Sequence, residues 1–117
     1  MKTFLAVFTG SPASRAKFDA LDEQTRADRG KAGMAAWHQW MRDHQDIIID
    51  MGGPLGKTKQ ASTSGIRDVS NNLGGYLKLR AESHEAAAKL FENHPSFALF
   101  PGEGVEVMEV LPIPTSM

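Results

Sequence analysis

The first ten residues put apolar side chains on both parities of an extended chain: Phe4, Ala6 and Phe8 on one side, Leu5 and Val7 on the other. Lys2–Thr9 therefore reads as a strand covered on both faces and closed by Gly10-Ser11-Pro12. Ser11 is placed to cap a helix with Pro12 in its first turn. Helical composition continues to Asp46, weakened in the middle by Gly30 and Gly33. It reads as a short polar helix followed by a stronger one from about Gly30 to Gln45. On the second helix Met34, Trp37, Met41 and His44 recur at steps of three and four, the spacing of one helical face, with Trp40 at its border.

Ile47–Ile49 forms a second apolar run and leads into Asp50-Met51-Gly52-Gly53-Pro54-Leu55, a glycine-rich turn. Residues 57–69 suggest a hairpin with Thr63-Ser64-Gly65 at its tip. In Tyr76–Ala81 the residues Leu77, Leu79 and Ala81 alternate with Tyr76, Lys78 and Arg80, the period of a half-buried strand. Ser83 caps a helix expected through Asn93, with Glu85 in its first turn and Pro95 beyond its end. Phe97–Gly104 reads as a loop and Val105–Leu111 as the last strand. The order predicts one domain over residues 1–117, of α+β class. It is a ferredoxin-like split βαβ antiparallel sheet with helices on one face.

Two amphipathic helices cover one side of such a sheet. The other keeps apolar residues from the first and last strands, a patch larger than soluble monomers usually expose. A second copy packed sheet to sheet is the simplest cover, so a homodimer is expected. Tyr76, Lys78 and Arg80 face the same side as that patch. They belong either to an edge strand whose cations reach solvent, or to a small polar pocket for an anionic or carbonyl ligand.

Composition narrows the function. The 117 residues carry a net charge of −1, without the basic balance of a nucleic-acid binder. Cysteine is absent, which excludes disulfides, thiolate nucleophiles and cysteine-ligated zinc, and no His/carboxylate spacing suggests another metal or a cofactor. No apolar run approaches a membrane span and no leader pattern opens the chain, so a cytoplasmic protein is the default expectation. Gly56-Lys57-Thr58 resembles the end of a phosphate-binding loop. Yet Met51 stands where that loop needs its first glycine, and no helical pattern follows.

The stretches KTFLAVFT, AAWHQWM, DMGGPLG, LGGYLKLRAESHEAAAKL and GVEVMEVLPI, in that order and spacing, resemble the YCII-related family, which includes the DGPF-domain proteins. The resemblance spans nearly the whole chain, although the Asp-Gly-Pro-Phe signature itself is absent. It implies a dimeric α+β barrel of two ferredoxin-like subunits. It also implies, from some relatives, a His–Asp pair in the cleft between the sheets. His38 stands near the expected histidine position, its alternative being a surface or boundary histidine. Asp68 is the nearest acid candidate, with Asp50, a glutamate or no residue at all as alternatives.

A His–Asp pair moves protons near neutral pH, the carboxylate fixing the imidazole tautomer. The expected cleft is lined by Trp37, Asp50, Gly53, Pro54, Tyr76, Lys78 and Arg80. His44, on the apolar stripe, and His84 and His94, at the ends of the last helix, are explained by packing, capping and solvent. Three functions fit. One is a small enzyme doing His-assisted proton transfer, isomerisation or elimination on a small polar organic molecule. Another is a non-catalytic domain that binds or senses an organic-acid-like ligand. The third is a dimeric accessory module.

Overall fold

β1 occupies Lys2–Thr9, as its two-sided apolar pattern predicts. Ser11 caps α1 (Pro12–Asp19) through a reciprocal capping box with Ser14. Asp22 caps α2 (Glu23–Asp43) by accepting from the Thr25 amide, and hydrogen bonds from the Thr25 side chain and then its amide lower the Asp22 pKa. After α2 come β2 (Ile48–Pro54), β3 (Thr58–Ser62), β4 (Gly65–Val69), β5 (Leu73–Ala81), α3 (His84–Lys89) and β6 (Gly104–Glu109). This computed structural model describes residues 1–95 and 102–114; most of the loop expected at Phe97–Gly104 lies outside them.

The main sheet has the order β2-β5-β1-β6, with every neighbouring pair antiparallel. This is the ferredoxin-like arrangement, in which the first and third main strands are interior. Strand alternation sorts the side chains. Phe4, Ala6 and Phe8 of β1 and Leu77, Leu79 and Ala81 of β5 are buried on one face. Trp37 packs on Phe8 with ring centroids 4.9 Å apart and His84 stacks on Phe4 at 5.5 Å, so α2 and α3 cover that same face. Met41, Ala87 and Phe91 complete the buried cluster, and Trp37, Trp40, Ile47, Ile48, Val105 and Val107 pack around it.

β3 and β4 form a separate two-stranded sheet, an arm whose tip is Thr63-Ser64. Its cross-strand contacts are polar: Lys59 with Asp68 at 2.6 Å, and Arg67 Nε donating to Gln60 at 2.7 Å. Nearly all of the arm is exposed, Ile66 to 74%. The chain is consequently elongated. Its radius of gyration is 16.3 Å, against about 13 Å for a compact domain of this length.

Several boundaries differ from the sequence reading. α2 runs straight through Gly30 and Gly33 from Glu23, because packing on the sheet outweighs the roughly 1 kcal/mol that each glycine costs a helix. Gly33 is buried, whereas Met34, read as part of the stripe, is half exposed. β2 continues through the glycines, and the last helix is one short segment that ends at Lys89. β5 is interior, so the edge-strand explanation of Lys78 and Arg80 fails.

His94 also departs from expectation. It is not at a solvated helix end but 2% exposed, its ring within 5.0 Å of Phe8, Trp37 and Trp40. Burial, and secondarily the nearby His44, lower its pKa from 6.5 to about 4. Protonating it in this aromatic setting is costly.

Two outcomes test this core. Trp37→Ala should destabilise the fold by about 3 kcal/mol, measured by urea unfolding, since a large ring is removed from the α2–sheet contact. The second is a pH profile. The unfolded chain protonates His94 near pH 6.5, the folded chain only near 4. Stability should hold above 6.5, fall as the pH drops toward 4, and lose nothing further from this group below that. His94→Leu should flatten the profile in that window; a profile parallel to that of the unaltered chain would show that His94 does not cause the slope.

Candidate functional site

The sheet face away from the helices is open. Register places its side chains in rows running from β2 through β5 and β1 to β6. One row is Asp50, Lys78, Leu5 and Met108; the next is Gly53, Tyr76, Val7 and Glu106. Arg80 and Thr3 pair in a third row, with Val110 beyond, its amide donating to the Thr3 carbonyl at 2.8 Å. Met108 and Val110 are 42% and 43% exposed. Tyr76 and Lys78 are only partly exposed, because neighbouring strands flank them on both sides.

A distortion in β2 sets one end of this surface. Pairing with β5 shifts register between Ile48 and Asp50 and again between Asp50 and Gly53. The Gly52 amide donates to Asp50 Oδ1 at 2.9 Å, an Asx-type turn within the strand. Gly52 has φ +61°, and a Cβ there would lie 1.8 Å from the Tyr76 carbonyl oxygen. Only glycine fits, because β2 and β5 approach too closely for any side chain. The bulge leaves Asp50 opposite Lys78. Arg80 is tied to the start of β2, its amide donating to Ile47 O at 2.8 Å and its Nη2 to Asp46 O at 3.3 Å. Among the described residues Lys78 makes no ion pair.

The expected site residues fall into three places. Asp50, Gly53, Tyr76, Lys78 and Arg80 share the open face. Pro54 pairs with Gly75 at its margin. Trp37 packs against the other face, and His38, next to it on α2, is exposed on the helix layer. Asp68 lies on the arm, 84% exposed and 2.6 Å from Lys59. His38 and Asp68 are therefore not hydrogen-bonded to each other within the chain, and the sheet stands between His38 and Lys78.

The other histidines are structural. The ring of His44 donates from Nδ1 to the Trp40 carbonyl at 2.7 Å, and that of His84 from Nε2 to the Val107 carbonyl at 2.6 Å, which satisfies an acceptor of β6. Gly56 and Lys57 lead into a strand, not a helix, so no helix N-terminus faces a phosphate there. Among the described residues no three His, Asp or Glu side chains group as a metal site requires, and no helix is long and apolar enough to cross a membrane.

The chemistry available to the open face is anion recognition beside a carboxylate. Two cations and a phenol lie next to apolar ground, with Asp50 at one end of the Lys78 row. The signal for the bulge was the Gly-Gly pair itself, but nothing local tells a strand bulge from a turn.

No protein-family model matches the chain, and neither does any curated protein. Among solved structures the chain is similar to a 5-chloro-2-hydroxyhydroquinone dehydrochlorinase from Burkholderia phenoliruptrix, in complex with 2,5-dihydroxybenzoquinone. The identity is 24%, the match covers 91% of this chain and 90% of that one, and the TM-score is 0.49. A likeness of this size carries no chemistry from one protein to the other.

Proposed function

We propose that the protein works as a homodimer joined through the open sheet faces, in the manner of the YCII-related dimeric α+β barrels that its sequence resembles. The cleft between the sheets binds a small polar organic molecule bearing a carboxylate or carbonyl. The observation that supports this most directly is the composition of the open face. Leu5, Val7, Met108 and Val110 give it apolar area, while Tyr76 and Lys78 stand on an interior strand where they have no route past a sheet edge.

A second copy suits this face better than an unrelated partner does. The face carries both signs, Lys78 and Arg80 with Asp50 and Glu106, so a two-fold copy can set acids over cations. The arm points the same way. A lone two-stranded hairpin is marginal in water, and Ile66, 74% exposed on the arm, is apolar area that a second chain would cover. In the enzyme form of this reading the bound molecule undergoes proton transfer, isomerisation or elimination. His38 and Asp68 serve that form only if another copy brings them together, since one chain keeps them apart. The binding form needs neither.

Sedimentation at micromolar concentration should give a mass near twice 12.8 kDa. Leu5→Glu, which puts like charges face to face at the centre of the contact, should convert the protein to a folded monomer. A folded monomer in the unaltered protein would remove the cleft, and with it the function proposed for it.

A further inference from the structure

We infer that Asp50 and Lys78 form a proton-transfer pair on the open face, held in place by the Gly52 bulge. The ligand class is a small molecule with an acidic O–H, or a C–H beside a carbonyl, whose conjugate base is a phenolate or enolate. The inference rests on the dimeric cleft proposed above and names its reactive groups.

The geometry assigns the roles. Asp50 stands directly opposite Lys78 in the β2–β5 register. Its Oδ1 is fixed by the Gly52 amide at 2.9 Å, while Oδ2 has no hydrogen bond among the described residues. One oxygen is thus a hinge and the other an acceptor. The bulge that produces this arrangement requires glycine, because a Cβ at position 52 would overlap the Tyr76 carbonyl. A side chain held by its own strand two residues on is better oriented than one on a free loop. Lys78 is partly buried between β2 and β1, with Leu5 as its neighbour on the far side. Among the described residues its ammonium has no carboxylate partner, so it can accept an anion without breaking an existing pair.

The step is simple. The ligand's O–H or C–H bond breaks, an O–H bond forms at Asp50 Oδ2, and the electron pair stays on the ligand as an oxyanion beside the Lys78 ammonium. Lys78 keeps its protons and nothing is oxidised or reduced. The negative charge moves from the Asp50 carboxylate to the ligand oxygen, where the Lys78 ammonium stabilises it. His38 has no part in this step, being across the sheet.

The test uses two probes and the full chain. Benzoate is already an anion and has no proton to give. 4-Nitrophenol reports its ionisation by colour, and is added at a pH where the free phenol is un-ionised. The dimer should bind both, and bound 4-nitrophenol should show the phenolate band. Asp50→Asn should lose the band and bind benzoate no more weakly, since the charge removed repels that anion. Lys78→Met should weaken both probes by about tenfold or more, the usual loss when a charged hydrogen-bond partner is removed. Gly52→Ala should lose the band as well; if it does not fold, the Asp50 and Lys78 variants decide alone. A dimer that binds benzoate but holds 4-nitrophenol as the neutral phenol overturns the pair and leaves the cleft standing. The same holds if the band is unchanged in Asp50→Asn. A protein that is monomeric, or that binds neither probe, overturns the cleft and the pair with it.

Discussion

The antiparallel register of β1 against β5 is the constraint from which the rest of the structure follows. It sets Ala6 opposite Leu77 and Phe4 opposite Leu79 on the helix side, and Leu5 opposite Lys78 and Val7 opposite Tyr76 on the other. Because side chains alternate strictly along a strand, a slip of one residue would send Lys78 into the aromatic core and Leu77 out of it. Burying an unpaired ammonium costs several kcal/mol, so the register is fixed as strongly by what must stay out as by what packs in. The helices then have one face on which to dock, and the other is left open.

Much of this was legible in the sequence, and the reason is local. β1 was readable because its period-two pattern is uninterrupted and glycine and proline end it. The face shared by Tyr76, Lys78 and Arg80 was readable from alternation alone. The hairpin showed itself in its turn residues. What failed was whatever depends on distant neighbours. Gly30 and Gly33 lower helix propensity, yet α2 passes through them, capped by Asp22 at one end and held by Trp37 and Met41 against the core toward the other. Gly52-Gly53-Pro54 has the composition of a turn, and only the closeness of β5 makes it a bulged strand. No spacing rule places His94, beyond the end of α3, among rings from β1 and α2.

The candidate site shows the same division. Strand parity is enough to put Tyr76, Lys78 and Arg80 on one face, whereas Asp50, read as part of a turn, joins their rows only through the irregular β2–β5 register. His38 and Asp68 were paired through a resemblance, without a geometric rule linking a helix to an arm. Their surroundings explain their separation. His38 follows Trp37 on α2, and the turn that presses Trp37 onto Phe8 necessarily carries its neighbour outward. Asp68 stands across the arm from Lys59, where an exposed pair stabilises little but suits a strand that has water on both sides.

The open face is a poor design for stability alone. A surface built only to join two sheets would be apolar throughout, because charges at a covered interface lose more in desolvation than most pairs return. Here an interior strand spends alternate positions on a phenol and two cations, and the neighbouring strand accepts a bulge and a glycine with φ +61° that leave Asp50 opposite one of them. Both features weaken the sheet locally. Neither is explained by the core on the other face, where the same strands carry ordinary leucines and phenylalanines. Departures from good packing gathered on one sheet face are the kind expected of a functional surface rather than of a folding core.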